Sequence, residues 1–391
     1  MFERAIVEQL QERLSEPRRF IQIVTGPRQT GKMTAIRQVL SHIRMPRRVA
    51  MADQVFSSGD TWLETEWMQA RKLTAGGEPA VFVVDEIQKV PQWSTVVKRL
   101  WDEDTWNDVP LHVILSGSSS LLIQKGLSES LAGRFELLRM TQWGLSEMRA
   151  AFGYSLEDFL RFGGYPGAAP LRSDVDRWRD YMRSSIIDAT ISKDVLQMED
   201  VRKPALMQEL FYLGAQYSSQ EISYRKLLGQ LDDKGNTETI AHYLTLLEGA
   251  GLMQGLQKYS PKALDSRRSS PRLMVRDTSL MVAASGEEPD SLLEDSASRG
   301  HVVETAVGAS LLNRSQTEHF DVFWWRDDSL EVDFVIRKGQ ALAAIEVKSG
   351  RIKDRRGLSA FVERTPGARP LVVGDANTPL ESFLLEEIPL F

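Results

Sequence analysis

The stretch Gly26-Pro27-Arg28-Gln29-Thr30-Gly31-Lys32-Met33-Thr34 constrains the fold of this chain more than any other segment. It follows the pattern G-x-x-x-x-G-K-[ST], in which backbone N–H groups cradle phosphates, the lysine reaches the outer phosphates and the final hydroxyl serves Mg²⁺. The flanking residues suit that reading. Phe20–Thr25 is an apolar run of strand length, and Met33–Leu40 has the periodicity of a helix. The N-terminus of that helix adds its own attraction for anions. An α/β first domain that binds ATP with Mg²⁺ is therefore expected. One residue departs from the pattern, because Met33 stands where the hydroxyl should be. Mg²⁺ is a hard cation that takes oxygen ligands, and a thioether replaces them poorly. Thr34 lies one residue further along the helix and points about 100° away, so it does not substitute. Nucleotide binding is expected to survive this change better than hydrolysis.

At 391 residues the chain is too long for one ordinary core, so two or three domains are expected. The absence of cysteine excludes disulfides and thiolate metal sites and suits a reducing cytoplasm. The first residues mix acids with apolar side chains, unlike a signal peptide, and no apolar run is long enough to span a bilayer. A cytoplasmic protein with no membrane partner is the expectation. The net charge of −6 confines any nucleic-acid contact to local basic patches.

A nucleotide site needs a second apolar strand ending in acid, and Ala80–Asp85 followed by Glu86 supplies it. Asp85 would hold the Mg²⁺ shell and Glu86 would orient and polarise the attacking water. A third strand, Leu111–Leu115, runs into Ser116-Gly-Ser118-Ser-Ser120, which puts small hydroxyls at the carboxyl end of the sheet, where open α/β sheets bind ligands. Ser116 or Ser118 would there sense the outer phosphate, although a Ser/Gly turn requires no function. Further on, Ser130-Leu-Ala-Gly-Arg134 offers an arginine that would reach transferring phosphate in cis or from a neighbouring subunit.

Four segments in this order, Gly26–Lys32, Asp85–Trp93, Ser116–Ser120 and Leu131–Arg134, resemble the prokaryotic AAA-type ATPases that carry a C-terminal DUF4143 domain. The resemblance continues through Phe162-Gly-Gly-Tyr-Pro166 into the rest of the chain. It implies a P-loop AAA-type domain over residues 1–145, with Ser116 or Ser118 as sensor and Arg134 as an arginine finger. A homo-oligomer follows if that finger acts in trans. The family normally has a hydroxyl residue at the position of Met33.

Residues 146–206 are helical in pattern and rich in Trp and Arg, which suits a lid. Asp194 resembles a recurrent acid of such lids, and an exposed helix acid is the preferred reading. Residues 207–262 outline a winged helix-turn-helix: Ile222–Leu228, a polar turn through Asp232–Asn236, then Thr237–Leu247 and the strand Leu252–Tyr259. The second helix offers Glu238, His242 and Glu248 and no Lys or Arg, so packing or partner docking is preferred over base reading.

Residues 263–391 carry the second constellation. Phe323–Ile336, a turn at Lys338-Gly339 and Ala341–Gly350 read as a hairpin-like strand pair, with Glu346 and Lys348 on one face. This resembles the D-x(n)-E-x-K core of restriction-endonuclease-like nucleases, with Glu304 in the preceding helix as that fold's extra acid. The resemblance implies that Asp333 and Glu346 bind Mg²⁺ and that Lys348 steadies the hydroxide or the transition-state charge. Period-two alternation also produces Glu-x-Lys on an ordinary amphipathic strand. Arg267, Arg268 and Arg272 before this core, and Arg351, Lys353, Arg355 and Arg356 after it, would draw a phosphate backbone, with Asp354 diluting the second group.

Two functions follow. In the first, an ATPase uses its nucleotide state to control a nuclease-like domain acting on DNA. In the second, a nucleotide-dependent switch or scaffold binds DNA or a protein partner without cutting. Met33 favours the switch, and the set Glu304, Asp333, Glu346 and Lys348 favours the enzyme. A small-molecule P-loop kinase is disfavoured, because nothing downstream resembles an acceptor site.

Overall fold

The computed structural model describes residues 2–52, 59–118, 130–196, 201, 203–231, 236–260, 271–349 and 356–391. Ser119, Ser120, most of the expected turn (232–235), and the basic residues Arg267, Arg268, Arg351, Lys353 and Arg355 lie outside them. Two compact units are present, Met1–Thr141 and Gln142–Phe391.

The first unit is a parallel sheet of β1 (Ile21–Thr25), β2 (Arg47–Met51), β3 (Ala80–Asp85), β4 (Leu111–Gly117) and β5 (Phe135–Arg139), in the order β2-β3-β4-β1-β5. The inner strands β1, β3 and β4 are near-continuous runs of Ile, Val, Leu and Phe because both of their faces are covered. On one face Val24, Val81, Val83 and Ile114 pack against α1 (Ala5–Ser15) and α2 (Lys32–His42). On the other, Ile23, Phe82, Val84, Val113 and Leu115 pack against α3 (Gly59–Arg71) and α4 (Trp93–Trp106). Since β4 lies between β1 and β3, the loops leaving all three strands emerge side by side at one edge.

The second unit opens with helices and closes on a mixed sheet. Its strands are β6 (Met253–Lys258), β7 (Arg272–Val275), β8 (Asp321–Asp327), β9 (Leu330–Lys338), β10 (Ala341–Val347) and β11 (Arg369–Val373), in the order β11-β10-β9-β8-β6-β7. β6 therefore joins one sheet with strands beyond residue 263. The stretch expected as one strand, Phe323–Ile336, is two strands, β8 and β9, which turn at Asp328 with φ 51°. Aspartate tolerates that left-handed conformation better than most residues, and the Asp-Asp-Ser run was a turn signal.

Asp194 departs from expectation as well. It is 4% exposed, on the turn Ile191–Val195, which together with Met182–Asp188 is π-helical. The wider i→i+5 turn shifts residues off the faces that a 3.6-residue count assigns them.

Candidate functional site

The phosphate-binding loop leaves β1 at Thr25 and enters α2 at Lys32, with Gly31 as the left-handed cap at φ 92°. Gly26 is required by space, because a Cβ there would lie 2.2 Å from the Met140 carbonyl oxygen. Within the loop, the Lys32 ammonium donates to the carbonyls of Gly26 at 2.9 Å and Pro27 at 2.8 Å. The buried Thr30 hydroxyl donates to Pro27 O at 3.0 Å. Arg28 and Gln29 complete the turn, with Gln29 at φ 59°. Arg4, which the motif search passed over, reaches the Thr141 carbonyl at 3.0 Å and the Thr30 carbonyl at 3.5 Å. It ties the chain before α1 to the loop and to the segment after β5.

Met33 is half-buried and packs on the apolar cluster of Ile6, Val7, Leu10, Ile36 and Val39. Thr34 is exposed. The first turn of α2 therefore presents a thioether turned to the core where the motif has a hydroxyl.

The acids stand at the same sheet edge. Asp85 ends β3, and Glu86 follows in the left-handed region at φ 53°. The Ser116 hydroxyl donates to Asp85 Oδ1 at 2.7 Å, and the Ser118 hydroxyl donates to Glu86 Oε2 at 3.2 Å. Gln88 Nε2 also donates to Glu86 at 2.5 Å and to Ser118 at 3.3 Å. Nothing in the run Asp85–Trp93 marks Gln88 for this role. The set offers backbone N–H groups, one ammonium and two carboxylates, which fits a nucleoside triphosphate. For Mg²⁺ it offers carboxylate oxygen from Asp85 and no hydroxyl from position 33.

Arg134 lies elsewhere. Ile21 pairs with Phe135 and Thr25 with Arg139, so Arg134 precedes the amino end of β5 while Gly26 follows the carboxyl end of β1. The length of a five-residue strand, roughly 16 Å, separates them. The cis arrangement is thus corrected: Arg134 does not reach the loop of its own chain. Its guanidinium pairs with Asp102 at 2.7 and 3.0 Å.

In the second unit Glu304 lies on the helix Ser296–Glu318, Asp333 on β9, Glu346 on β10, and Lys348 just after it. The antiparallel register pairs Ile345 with Phe334, which makes Asp333 and Glu346 cross-strand neighbours one position on. Asp333 Oδ2 accepts from the Val347 N–H at 2.7 Å, and Lys348 donates to Glu346 at 2.5 Å. Arg272 also belongs to this cluster, and here the sequence reading is corrected. Expected as part of a surface patch for DNA, it is 2% exposed. Its guanidinium donates to Glu304 Oε1 at 2.9 Å and to the Asp333 carbonyl at 3.3 Å, lies 3.8 Å from Asp333 Oδ1, and contacts Glu331. Glu331 escaped the sequence reading, although its place two residues before Asp333 on one strand puts it on the same face. Burial, with Asp333 and then Glu346 close by, raises the Glu304 carboxyl to about 8 against the opposing pull of Arg272. Among the described residues, no group of three or more His, Cys, Asp or Glu side chains is arranged to hold a metal ion.

Asp277, also missed, closes the turn at Gly163-Gly164. It accepts from the Gly164 N–H at 2.8 Å and the Ser279 N–H at 3.0 Å, and a Cβ on Gly163 would lie 1.9 Å from it. Burial pushes its carboxyl up to about 6.

No helix among the described residues is long and apolar enough to cross a membrane. Comparison with known families matches residues 18–149 to the AAA domain, 153–291 to a domain of unknown function (DUF8612), and 299–388 to a domain of unknown function (DUF4143). The middle match crosses both boundaries expected at 206 and 262. Among curated proteins, an uncharacterized protein of Haemophilus influenzae is 21% identical over 349 residues, covering 84% of this chain and 82% of the relative. An uncharacterized protein of Mycobacterium tuberculosis is 27% identical over 330 residues, covering 83% and 69%. One of Methanocaldococcus jannaschii is 26% identical over 271 residues, covering 64% and 57%. The chain thus carries an AAA domain at residues 18–149 and a DUF4143 domain at 299–388, the architecture of the family that its sequence resembles.

Proposed function

We propose that this protein is a nucleotide-dependent switch, which binds ATP in its AAA domain, hydrolyses it slowly, and engages DNA through its C-terminal unit without cutting it. The observation that carries the reading is the pairing of an intact phosphate loop and acid pair with a core-facing Met33 at the Mg²⁺ position. Lys32 and the backbone N–H groups from Arg28 to Thr34 hold the phosphates. Asp85, oriented by Ser116, offers oxygen to the Mg²⁺, which neutralises phosphate charge when bound. Glu86, held by Ser118 and Gln88, orients the attacking water, and Arg134 of a second copy supplies the finger.

The parts of the second unit take their proposed roles from the sequence. Residues 146–206 act as the lid, 207–262 as a winged helix and 263–391 as a nuclease-like domain. The helix Thr237–Gly249 followed by β6 supports the second assignment, and the cross-strand placement of Asp333 and Glu346 supports the third. That placement also favours a second reading, a Mg²⁺-dependent nuclease under ATP control. Incubation with plasmid and linear DNA in Mg²⁺ or Mn²⁺, with and without ATP, separates the two. The switch reading expects ATP-dependent DNA retention with intact DNA, and ATP binding lost in Lys32→Ala. Cleavage that disappears in Asp333→Ala would instead establish the nuclease.

A further inference from the structure

The nuclease resemblance implies a divalent metal at Asp333 and Glu346, and the side chains around those acids do not fit one. Mg²⁺ demands near-octahedral oxygen coordination at about 2.1 Å. Asp333 turns one carboxylate oxygen to the Val347 N–H and the other toward Arg272 at 3.8 Å. Glu346 turns Oε1 to the Lys348 ammonium. Glu304, the third acid, accepts from Arg272 at 2.9 Å, and Glu331 contacts the same guanidinium.

Arg272 is not a surface side chain that happened to fold inward. Its backbone is held by β6, where Leu256 pairs with it, and by a bridge to Glu221. Its guanidinium lies 5.3 Å from the Trp324 ring, within cation–π range. Its Nε is buried with no hydrogen-bond partner, so the terminal nitrogens alone fasten the head, and they are fastened to the acids and the Asp333 carbonyl. The guanidinium thus sets a positive charge against Glu304, Glu331 and Asp333, the acids it contacts.

We infer that Arg272 is the resident cation of this acid cluster, taking the place of a divalent metal, so that the C-terminal domain keeps its site neutralised from within and binds no metal there. The inference deepens the switch reading and rests on it for the absence of cleavage. It makes Arg272 a positioning residue, which joins β7 to β9 and to the helix Ser296–Glu318 across the cluster.

The test is Mn²⁺ binding by the full chain, followed by electron paramagnetic resonance without nucleotide. Every protein carries Asp85→Asn to silence the AAA site. The background chain is expected to bind no Mn²⁺ that depends on Asp333. Arg272→Ala is expected to gain one Mn²⁺, lost again when Asp333→Ala is added. Arg272→Lys guards against a misfolded alanine variant, and it is expected to melt close to the background chain and to leave Mn²⁺ unbound. Mn²⁺ bound by the background chain and lost in its Asp333→Ala form would overturn the assignment, whatever the Arg272 variants do. That result without DNA cleavage would leave the switch reading standing, whereas cleavage lost in Asp333→Ala would remove both.

Discussion

Ser116 donates its hydroxyl to the Asp85 carboxylate at 2.7 Å, which joins the end of β4 to the end of β3 beside the phosphate loop. The adjacent pair, Ser118 with Glu86, repeats the arrangement one step further out. One serine thus positions the acid proposed for metal, and the other the acid proposed for water. Each acid is set before nucleotide arrives, and preorganisation of this kind acts mainly on the chemical step.

Ser116→Ala should therefore lower ATP turnover by about 10²-fold while leaving nucleotide affinity within about threefold of the parent. Steady-state turnover and equilibrium binding of a fluorescent ATP analogue, measured on the same preparation, check the split. Equal losses in both would assign Ser116 to the fold instead of the reaction.

Met33→Thr restores the hydroxyl of the motif and removes apolar packing from the α1–α2 cluster. Turnover in Mg²⁺ should rise about tenfold or more, which corresponds to about 1.4 kcal/mol of barrier. The lost packing should cost about 1 kcal/mol of stability. ATP turnover across a Mg²⁺ titration, with the thermal midpoint alongside, measures both. A variant with no gain in rate would refute the account of Met33 given above.

Arg134 lies a strand's length from its own chain's loop and is held by Asp102, so the finger proposed for it is one that a second copy supplies. Arg134→Ala and Lys32→Ala should each be inactive alone. Mixed, they should recover part of the turnover, because the Lys32→Ala copy lends its arginine to an intact loop. No recovery at any mixing ratio would leave Arg134 as an ion pair on α4 and nothing more.

Asp277 predicts a pH dependence for the second unit. Its folded-state carboxyl is raised to about 6, so the folded protein holds the proton more tightly than the unfolded chain. The stabilisation is complete below about pH 4 and is lost as pH rises through about 6, a total of about 3 kcal/mol. Denaturant unfolding of the parent and of Asp277→Asn between these limits isolates the effect, since other groups titrate alike in both. Parallel stability curves would show that folding leaves the proton affinity of Asp277 unchanged.

The amino-acid sequence by itself determined the chemistry that is contiguous along the chain. The phosphate loop, the strand ending in Asp85-Glu86 and the strand ending in Ser116 are each one short run, and local periodicity with glycine and hydroxyl residues placed all three. Glu304, Asp333, Glu346 and Lys348 were marked by their resemblance to a nuclease core, since the Glu-x-Lys spacing alone is weak. The tertiary structure decided what those residues face. Strand register put Arg134 at the wrong end of the sheet for its own loop, a matter of which residue of β5 lies beside which residue of β1. The packing of α2 on α1 turned Met33 toward the core. Arg272 looked like one more basic residue until β7 brought it to Asp333, 61 positions away, and into the acid cluster. Sequence patterns carry residue type and period, while the partner of a buried charge is set by which distant strands come together.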